Sequence, residues 1–184
     1  MKAKSIEQLN VLIIEDDRHM RMLIRNVLFA LGVKDVAEAP DGEKAVEEMQ
    51  AFRPDLMLVD LKMEPMGGLE FVHRLRADAN NPYRFVPIIM ITAYADLDTV
   101  AAARDVGITE FMAKPVSAAA LEQRIQRVLN DTRRFVEAPK FAGPDRRRGK
   151  KVAFGGKDRR EIPPNFVDPP EDVPAAPQSH ETEL

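Results

Sequence analysis

Four short apolar runs of the sequence each lead directly into residues whose side chains can carry chemistry. These residues are Glu15-Asp16-Asp17, Asp60, Thr92 and Lys114. Carboxylates that lie close together repel one another unless a proton or a cation intervenes. Their oxygens suit Mg²⁺, which also binds phosphoryl oxygens. A hydroxyl and an ammonium beside them would complete a pocket for a phosphoryl group, with Asp60 as the nucleophile that accepts it.

Asp60 follows the apolar run 56–59 and precedes a loop-like stretch, 63–68, that contains Pro and Gly. An apolar run bounded in this way is typical of a strand that is buried on both faces. Open α/β sheets bind ligands at the carboxyl ends of their strands, which is where this pattern places Asp60. A plainer interpretation is that Asp60 only ends the strand or caps the next helix.

The apolar pattern also predicts the elements that would bring these residues together. Strands are predicted at 11–14, 33–39, 56–60, 87–92 and 110–113. A helix is predicted after each strand from apolar residues spaced three and four apart. The first two apolar stripes are Met20, Leu23, Ile24, Val27, Leu28 and Leu31, and then Ala45, Val46, Met49 and Phe52. Strands that alternate with helices favour right-handed βαβ units and a parallel sheet, so all strand carboxyl ends share one edge.

Several helix ends have signals of their own. Asp17, Asp41 and Ser117 precede predicted helices and are candidate N-caps. Gly32 is a candidate terminator of the first helix, because Gly adopts the left-handed conformation common at helix ends.

Residues 9–130 resemble the receiver domain of bacterial two-component response regulators, and CheY-like proteins in particular. The resemblance is carried by I-I-E-D-D at 13–17, V-D-L-K-M at 59–63, I-T-A at 91–93 and F-M-A-K-P at 111–115. It implies an α/β fold with a five-stranded parallel sheet in the flavodoxin-like order 2-1-3-4-5 and helices on both faces. The domain would span 9–134.

The resemblance also implies roles for the acidic residues. Asp60 would be the phosphoacceptor. Glu15, Asp16 and Asp60 would hold Mg²⁺, together with the backbone carbonyl of Lys62. Asp17 falls one position later, and we interpret it as a cap for the first helix.

Two further matches concern the phosphoryl group. Thr92 and Lys114 would contact it, with a cis peptide between Lys114 and Pro115. Phe111, together with Thr92, would form the conformational switch. A simpler alternative is that Phe111 is a core residue.

The loop 63–68 departs from the usual family pattern, but it keeps the family length and Gly68, so we expect the pocket to form. Lys62 and Tyr94 occupy positions that tune hydrolysis in the family. Our hypothesis is that the bulky Tyr94 hinders the attacking water and lengthens the phosphorylated lifetime.

The composition sets limits on the class of protein. A chain of 184 residues with 45% hydrophobic content suits one domain with an appendage. The absence of Cys excludes disulfides and thiolate metal sites. No apolar run approaches the roughly 18 residues of a membrane helix, and no signal peptide is present, so a cytoplasmic protein is expected. A stand-alone kinase or phosphatase is not favoured, because there is no glycine-rich phosphate loop.

Charge is distributed unevenly along the chain despite a net charge of only -3. Residues 146–160 carry eight Lys and Arg, whereas 161–184 carry six acids and no Lys or Arg. Periodicity is lost after Arg134. We therefore predict a flexible N-terminus at 1–8, a basic arginine-rich linear segment at 135–160 and an acidic, Pro-rich disordered end at 161–184.

The basic segment contains a repeat, F-x-G-x-D-R-R, at 141–147 and 154–160. A solvated linker is the plain interpretation of such a charge run. Alternatively, Arg and Asp could recognise guanine and phosphate, and Phe could stack on bases, which suggests cyclic-di-GMP or single-stranded RNA. The segment also resembles the arginine-rich extension of CheY-like cyclic-di-GMP effectors. The candidate ligand-binding residues are Asp145, Arg146, Arg147, Arg148, Asp158, Arg159 and Arg160.

The expected function is that of a response regulator, which is not an enzyme beyond its own phosphotransfer and dephosphorylation. A sensor histidine kinase or a histidine phosphotransfer protein would supply the phosphoryl group to Asp60. Output would proceed through protein interaction, since no DNA-binding domain follows and eight cations would bind duplex DNA only weakly. The alternative is an effector whose tail binds cyclic-di-GMP or RNA, with phosphorylation secondary.

Overall fold

The computed structural model describes residues 4–93, 97–138, 141–145 and 165–167. The strands of the main sheet are β1 Asn10–Ile14, β2 Asp35–Ala39, β3 Leu56–Asp60, β4 Ile88–Thr92 and β5 Glu110–Ala113. The helices are α1 Arg18–Ala30, α2 Gly42–Glu48, α3 Gly68–Ala77, α4 Leu97–Asp105 and α5 Ala118–Leu129. The sheet has the order β2-β1-β3-β4-β5, and every neighbouring pair is parallel. The predicted fold class is confirmed.

Strands β3 and β4 are buried along their whole length, which accounts for their continuous apolar sequence. Two apolar cores lie on opposite faces of the sheet. One contains Phe71 of α3 and Ala103 of α4, and the other contains Leu28 of α1 and Ile125 of α5. The helices therefore cover both faces, as the resemblance implies.

The predicted helix signals are confirmed in the structure. The carboxylate of Asp17 accepts hydrogen bonds from the backbone of His19 and Met20, and Asp41 caps α2 in the same way. Ser117 caps α5. Gly32 follows α1 with φ of 90°, the conformation that favours glycine.

Two residues of the predicted apolar stripes are not buried. Leu23 is 44% exposed and Val46 is 46% exposed, so the buried faces of α1 and α2 are narrower than predicted. By contrast, Ile6 is buried within a short 3-10 helix, Ile6–Gln8, in the stretch for which the sequence predicts flexibility.

A second sheet lies beyond the main domain, where the sequence predicts no regular structure. Its strands are β6 Phe135–Ala138, β7 Phe141–Pro144 and β8 Asn165–Val167, in the antiparallel order β7-β6-β8. At these described residues the structure differs from the predicted irregular tail. Strands of three or four residues are too short to show alternation, and β8 pairs with a strand distant in sequence, so local patterns give no signal.

The second sheet is anchored through Arg76, which is 2% exposed. Its guanidinium donates to the carbonyls of Gly107, Arg84 and Val86 and lies 5.5 Å from the centre of the Phe135 ring. Burial, together with the charge of Arg84, lowers the pKa of Arg76 to about 9, so the group is still charged at neutral pH. Strands β6, β7 and β8, which we call the extension, are thus part of the packed structure.

The backbones of the extension and the main domain also meet directly. A Cβ built on Gly107 would lie 2.2 Å from the carbonyl oxygen of Ala142. Gly107, with φ of 93°, is therefore required both by its own conformation and by this close approach.

Across the described ranges, no helix combines the length and apolar character needed to cross a membrane.

Candidate functional site

The acidic turn, Glu15-Asp16-Asp17, follows β1 at the carboxyl edge of the sheet. The backbone N–H of Glu15 donates to the carbonyl of Ala39 at the end of β2, at 3.1 Å, which continues the strand pairing by one residue. The Glu15 side chain is buried, whereas Asp16 is exposed. The Asp17 carboxylate caps α1, which confirms its predicted role as a helix cap.

Asp60 ends β3 and is 6% exposed. Its Oδ2 accepts a hydrogen bond of 2.8 Å from the backbone N–H of Lys62, which fixes the orientation of the carboxylate. A Cβ built on Gly68 would lie 2.0 Å from the carbonyl oxygen of Asp60. Only Gly allows α3 to begin so close to the end of β3, and this explains why the loop keeps Gly68.

Lys114 follows β5, and its side chain reaches the carboxylates of Asp60 and Glu15. Its Nζ lies 2.8 Å from Oδ1 of Asp60, and 3.1 Å and 2.9 Å from the two carboxylate oxygens of Glu15. The backbone N–H of Lys114 donates to the carbonyl of Thr92 at 2.8 Å, and the Lys114-Pro115 peptide is cis, as predicted. One ammonium therefore neutralises part of the charge of two buried carboxylates.

The electrostatics of the pocket follow from this packing. Burial raises the pKa of Glu15, and the charge of Asp60 adds to the rise, although the hydrogen bond from Lys114 opposes it. Burial alone would lower the pKa of Lys114, but the hydrogen bonds and charges of Asp60 and Glu15 outweigh burial and raise it. The lysine thus stays charged, while ionisation of Glu15 is disfavoured.

The donor set fits a hard divalent cation. Glu15, Asp16 and Asp60 each offer an oxygen atom, and these atoms all lie within 4.8 Å of one another. Oε2 of Glu15 is buried and accepts no hydrogen bond among the described residues, although it forms an ion pair of 2.9 Å with Lys114 Nζ. Carboxylate oxygens with one side open to water are what Mg²⁺ accepts as ligands. These three residues could therefore hold Mg²⁺.

Two further site residues that the sequence predicts, Thr92 and Phe111, lie in strands β4 and β5. Thr92 ends β4, between the strands of Asp60 and Lys114, and is 1% exposed. Phe111 in β5 is partly buried and packs against the apolar core on the α3 face. Tyr94 lies outside the described residues.

The sequence matches the model of a known protein family. Residues 11–126 match the model described as the response regulator receiver domain. The chain belongs to the response regulator receiver domain family. The predicted membership is confirmed, and the acidic pocket lies in the part of the receiver that the family model covers.

Chemotaxis proteins are among the similar proteins. CheY of Pseudomonas aeruginosa is 31% identical over 120 residues, which are 65% of this chain and 95% of that protein. CheY1 of Helicobacter pylori is 34% identical over 122 residues, which are 66% of this chain and 97% of that protein. A crystal structure of CheY4 from Vibrio cholerae matches with a TM-score of 0.60 and 31% identity, over 65% of this chain and 98% of CheY4. The similarity thus covers the receiver.

The predicted residues of the tail are only partly described. Asp145 follows β7, and its N–H donates to the carbonyl of Arg134 at 2.9 Å. The other predicted ligand-binding residues lie outside the described residues, and they are Arg146, Arg147, Arg148, Asp158, Arg159 and Arg160. Gly143 in the first copy of the repeat has a packing role, because a Cβ there would lie 2.6 Å from the Cα of Gly107.

Sequence reasoning missed Arg21 of α1. Its Nη1 donates to the carbonyl of Glu15 at 2.6 Å and to that of Asp16 at 3.1 Å. The residue is one of several Arg in α1, and nothing in the sequence distinguishes it from a solvated charge. Its position one turn after Asp17 is the only available signal, since that spacing returns the side chain to the acidic turn.

Proposed function

We propose that the protein accepts a phosphoryl group on Asp60 from a phosphohistidine of a sensor kinase or a histidine phosphotransfer protein. The observation that carries this proposal is the placement of Lys114 Nζ between the carboxylates of Asp60 and Glu15, with a third carboxylate, that of Asp16, within reach. Such a pocket combines a nucleophile, a counter-charge and a cation site.

In the proposed transfer, a carboxylate oxygen of Asp60 forms the new P–O bond and the phosphohistidine P–N bond breaks. The leaving imidazole takes a proton as it departs. The N–H of Lys62 holds one oxygen of Asp60 and Lys114 contacts the other, so both would keep the carboxylate in line with the phosphorus.

Mg²⁺ would be held by Glu15, Asp16 and Asp60, with the backbone carbonyl of Lys62 as a further ligand. When bound, it would neutralise charge on the phosphoryl oxygens. Lys114 and the hydroxyl of Thr92 would contact those oxygens in the phosphorylated protein, and Phe111 would respond to the movement of Thr92.

Transfer of a labelled phosphoryl group tests the proposal. The full chain is incubated with a labelled phosphohistidine donor, with Mg²⁺ or with EDTA, alongside Asp60→Asn. We expect labelling of the wild type only with Mg²⁺ and none of Asp60→Asn. Equal labelling of the variant would show that another residue accepts the group.

For output we propose protein interaction through the receiver or the extension. A second candidate is that the arginine-rich repeat binds cyclic-di-GMP or single-stranded RNA, with phosphorylation secondary. The observation that favours this candidate is that the first copy of the repeat starts in β7, which pairs with β6 of the second sheet, so the basic stretch follows an ordered strand.

Calorimetry of the full chain separates these candidates. Cyclic-di-GMP and a short single-stranded RNA are titrated into the wild type and into a variant with Arg146, Arg147 and Arg148 changed to Ala. Heat that the variant loses supports a nucleotide-binding tail. No heat with either compound at low salt removes this candidate.

A further inference from the structure

The acidic turn is held by a side chain from the helix that follows it. Arg21 is largely buried, with 16% of its side chain exposed, and its Nη1 bonds the carbonyls of both Glu15 and Asp16. These two carbonyls belong to residues whose carboxylates face the proposed cation site. One guanidinium therefore fixes the backbone from which both acidic side chains project.

The guanidinium is itself fixed from a third direction. Nε of Arg21 lies 3.4 Å from Glu38 in β2, and Glu38 also accepts a hydrogen bond of 3.1 Å from Arg25. Strand β2 in turn holds the turn through the Glu15 N–H and the carbonyl of Ala39. The acidic turn is thus tied to α1 and β2 at once.

We propose that Arg21 is a positioning residue for the cation site, an inference that rests on the proposed binding of Mg²⁺. The carboxylates of Glu15, Asp16 and Asp60 lie close enough to repel one another, and a turn free to move would relieve the repulsion by separating them. Arg21 prevents this movement because its Nη1 donates to two adjacent carbonyls of the turn while its Nε contacts Glu38 in β2.

Arg25 provides a matched control. It lies on the same helix, pairs with the same glutamate and bonds no carbonyl of the acidic turn among the described residues. The variants Arg21→Ala and Arg25→Ala therefore both remove a positive charge near Glu38, but only the first releases the turn.

The test measures Mg²⁺ binding to the full chain by calorimetry, and amide hydrogen exchange of residues 15–17 without metal. For Arg21→Ala we expect a dissociation constant about 10-fold higher than that of the wild type, since outer contacts of metal ligands have effects of this size. We also expect faster exchange in the metal-free turn. Arg25→Ala should remain within about 2-fold in affinity, with unchanged exchange in the turn.

Arg21→Lys separates charge from geometry. It keeps the positive charge, but its one nitrogen replaces the two that Arg21 uses, Nη1 for the carbonyls of Glu15 and Asp16 and Nε for Glu38, so affinity should stay well below that of the wild type. If Arg21→Ala is folded, as judged by its amide spectrum, and binds Mg²⁺ with the affinity of the wild type, the inference about Arg21 is wrong. The proposed function would not be affected by that result. Absence of Mg²⁺ binding by the wild type would instead remove the proposed function.

Discussion

Lys114 Nζ lies 2.8 Å from Asp60 Oδ1, although strand β4 separates the two strands that carry these residues. The lysine spans β4 at its carboxyl end, and the same ammonium reaches Glu15, which follows β1. The pocket therefore depends on one long side chain that crosses the sheet edge. This arrangement makes the consequences of removing the ammonium predictable.

Lys114→Met should destabilise the metal-free protein, because Glu15 and Asp60 would stay buried without their cation. We expect a loss of about 1–3 kcal/mol in the free energy of unfolding, below the full value for a buried pair because Lys114 is partly exposed. Urea denaturation in EDTA measures it. Lys44→Met is the control, since Lys44 bonds both oxygens of Glu47 at an exposed site and its removal should change the free energy of unfolding much less. Equal losses would show that burial of the carboxylates has no role.

Glu15→Gln should change how stability depends on pH. Burial raises the pKa of Glu15 above 4.5, so the folded state binds this proton more tightly than the unfolded state. Ionisation of Glu15 therefore reduces stability as pH rises from 4.5 through the raised pKa. In EDTA, the free energy of unfolding of Glu15→Gln minus that of the wild type should increase across that pH interval and then level off. Denaturation series between about pH 4 and pH 8 measure the difference, and a difference independent of pH would contradict the stated pKa direction.

Gly68→Ala should disrupt the pocket, because the new Cβ would meet the carbonyl oxygen of Asp60 at 2.0 Å. We expect a loss of at least about 2 kcal/mol in stability, larger than the roughly 1 kcal/mol that Ala gains over Gly in a helix. Gly67→Ala is the neighbouring control, since its Cβ would meet the carbonyl of Leu61 at 3.4 Å and its φ is negative. Thermal or urea unfolding of both variants is sufficient, and similar losses would contradict the close approach at Gly68.

Phe135→Ala should show that the extension is part of the folded domain. Phe135 is 4% exposed, lies 5.2 Å from the ring of Phe85 and covers the guanidinium of Arg76. Its truncation should cost about 3–5 kcal/mol, as for other buried aromatic residues. Phe166→Ala in β8 is the control, because Phe166 is 40% exposed and should cost less than about 1 kcal/mol. A small loss in Phe135→Ala would mean that the extension does not contribute to stability.

Tyr94→Ala tests the hypothesis about the phosphorylated lifetime, which concerns a residue outside the described ranges. If the tyrosine hinders the attacking water, the dephosphorylation rate measured after removal of the donor should rise several-fold. The variant Lys62→Ala, at the other position that tunes hydrolysis in the family, serves as a comparison. An unchanged rate in Tyr94→Ala removes the hypothesis.

The sequence was informative where structure depends on local patterns. Continuous apolar runs predict β3 and β4, and the polar residue after each run predicts the members of the pocket, because parallel strands place their ends together. The caps at Asp17 and Ser117 were predictable for the same reason: a cap is chosen by its nearest neighbours. The sheet edge was thus predicted almost entirely from adjacent residues.

What the sequence did not predict depends on distant contacts. Arg76 is buried only because three carbonyls and Phe135 surround it, and no local pattern indicates this. Strand β8 forms by pairing with β6, which lies far away in the sequence. Leu23 occupies a helical stripe position yet stays exposed, since periodicity defines a face and not what packs against it.

The most direct test of the central claim identifies the residue that carries the phosphoryl group. The full chain is phosphorylated in Mg²⁺ and then reduced with borohydride, which converts an aspartyl phosphate to homoserine, and the peptides are sequenced by mass spectrometry. The proposed function predicts homoserine at position 60 and at no other acidic position of the pocket. Homoserine at Asp16 or Asp17, or none anywhere after confirmed exposure to a phosphohistidine donor, would contradict it.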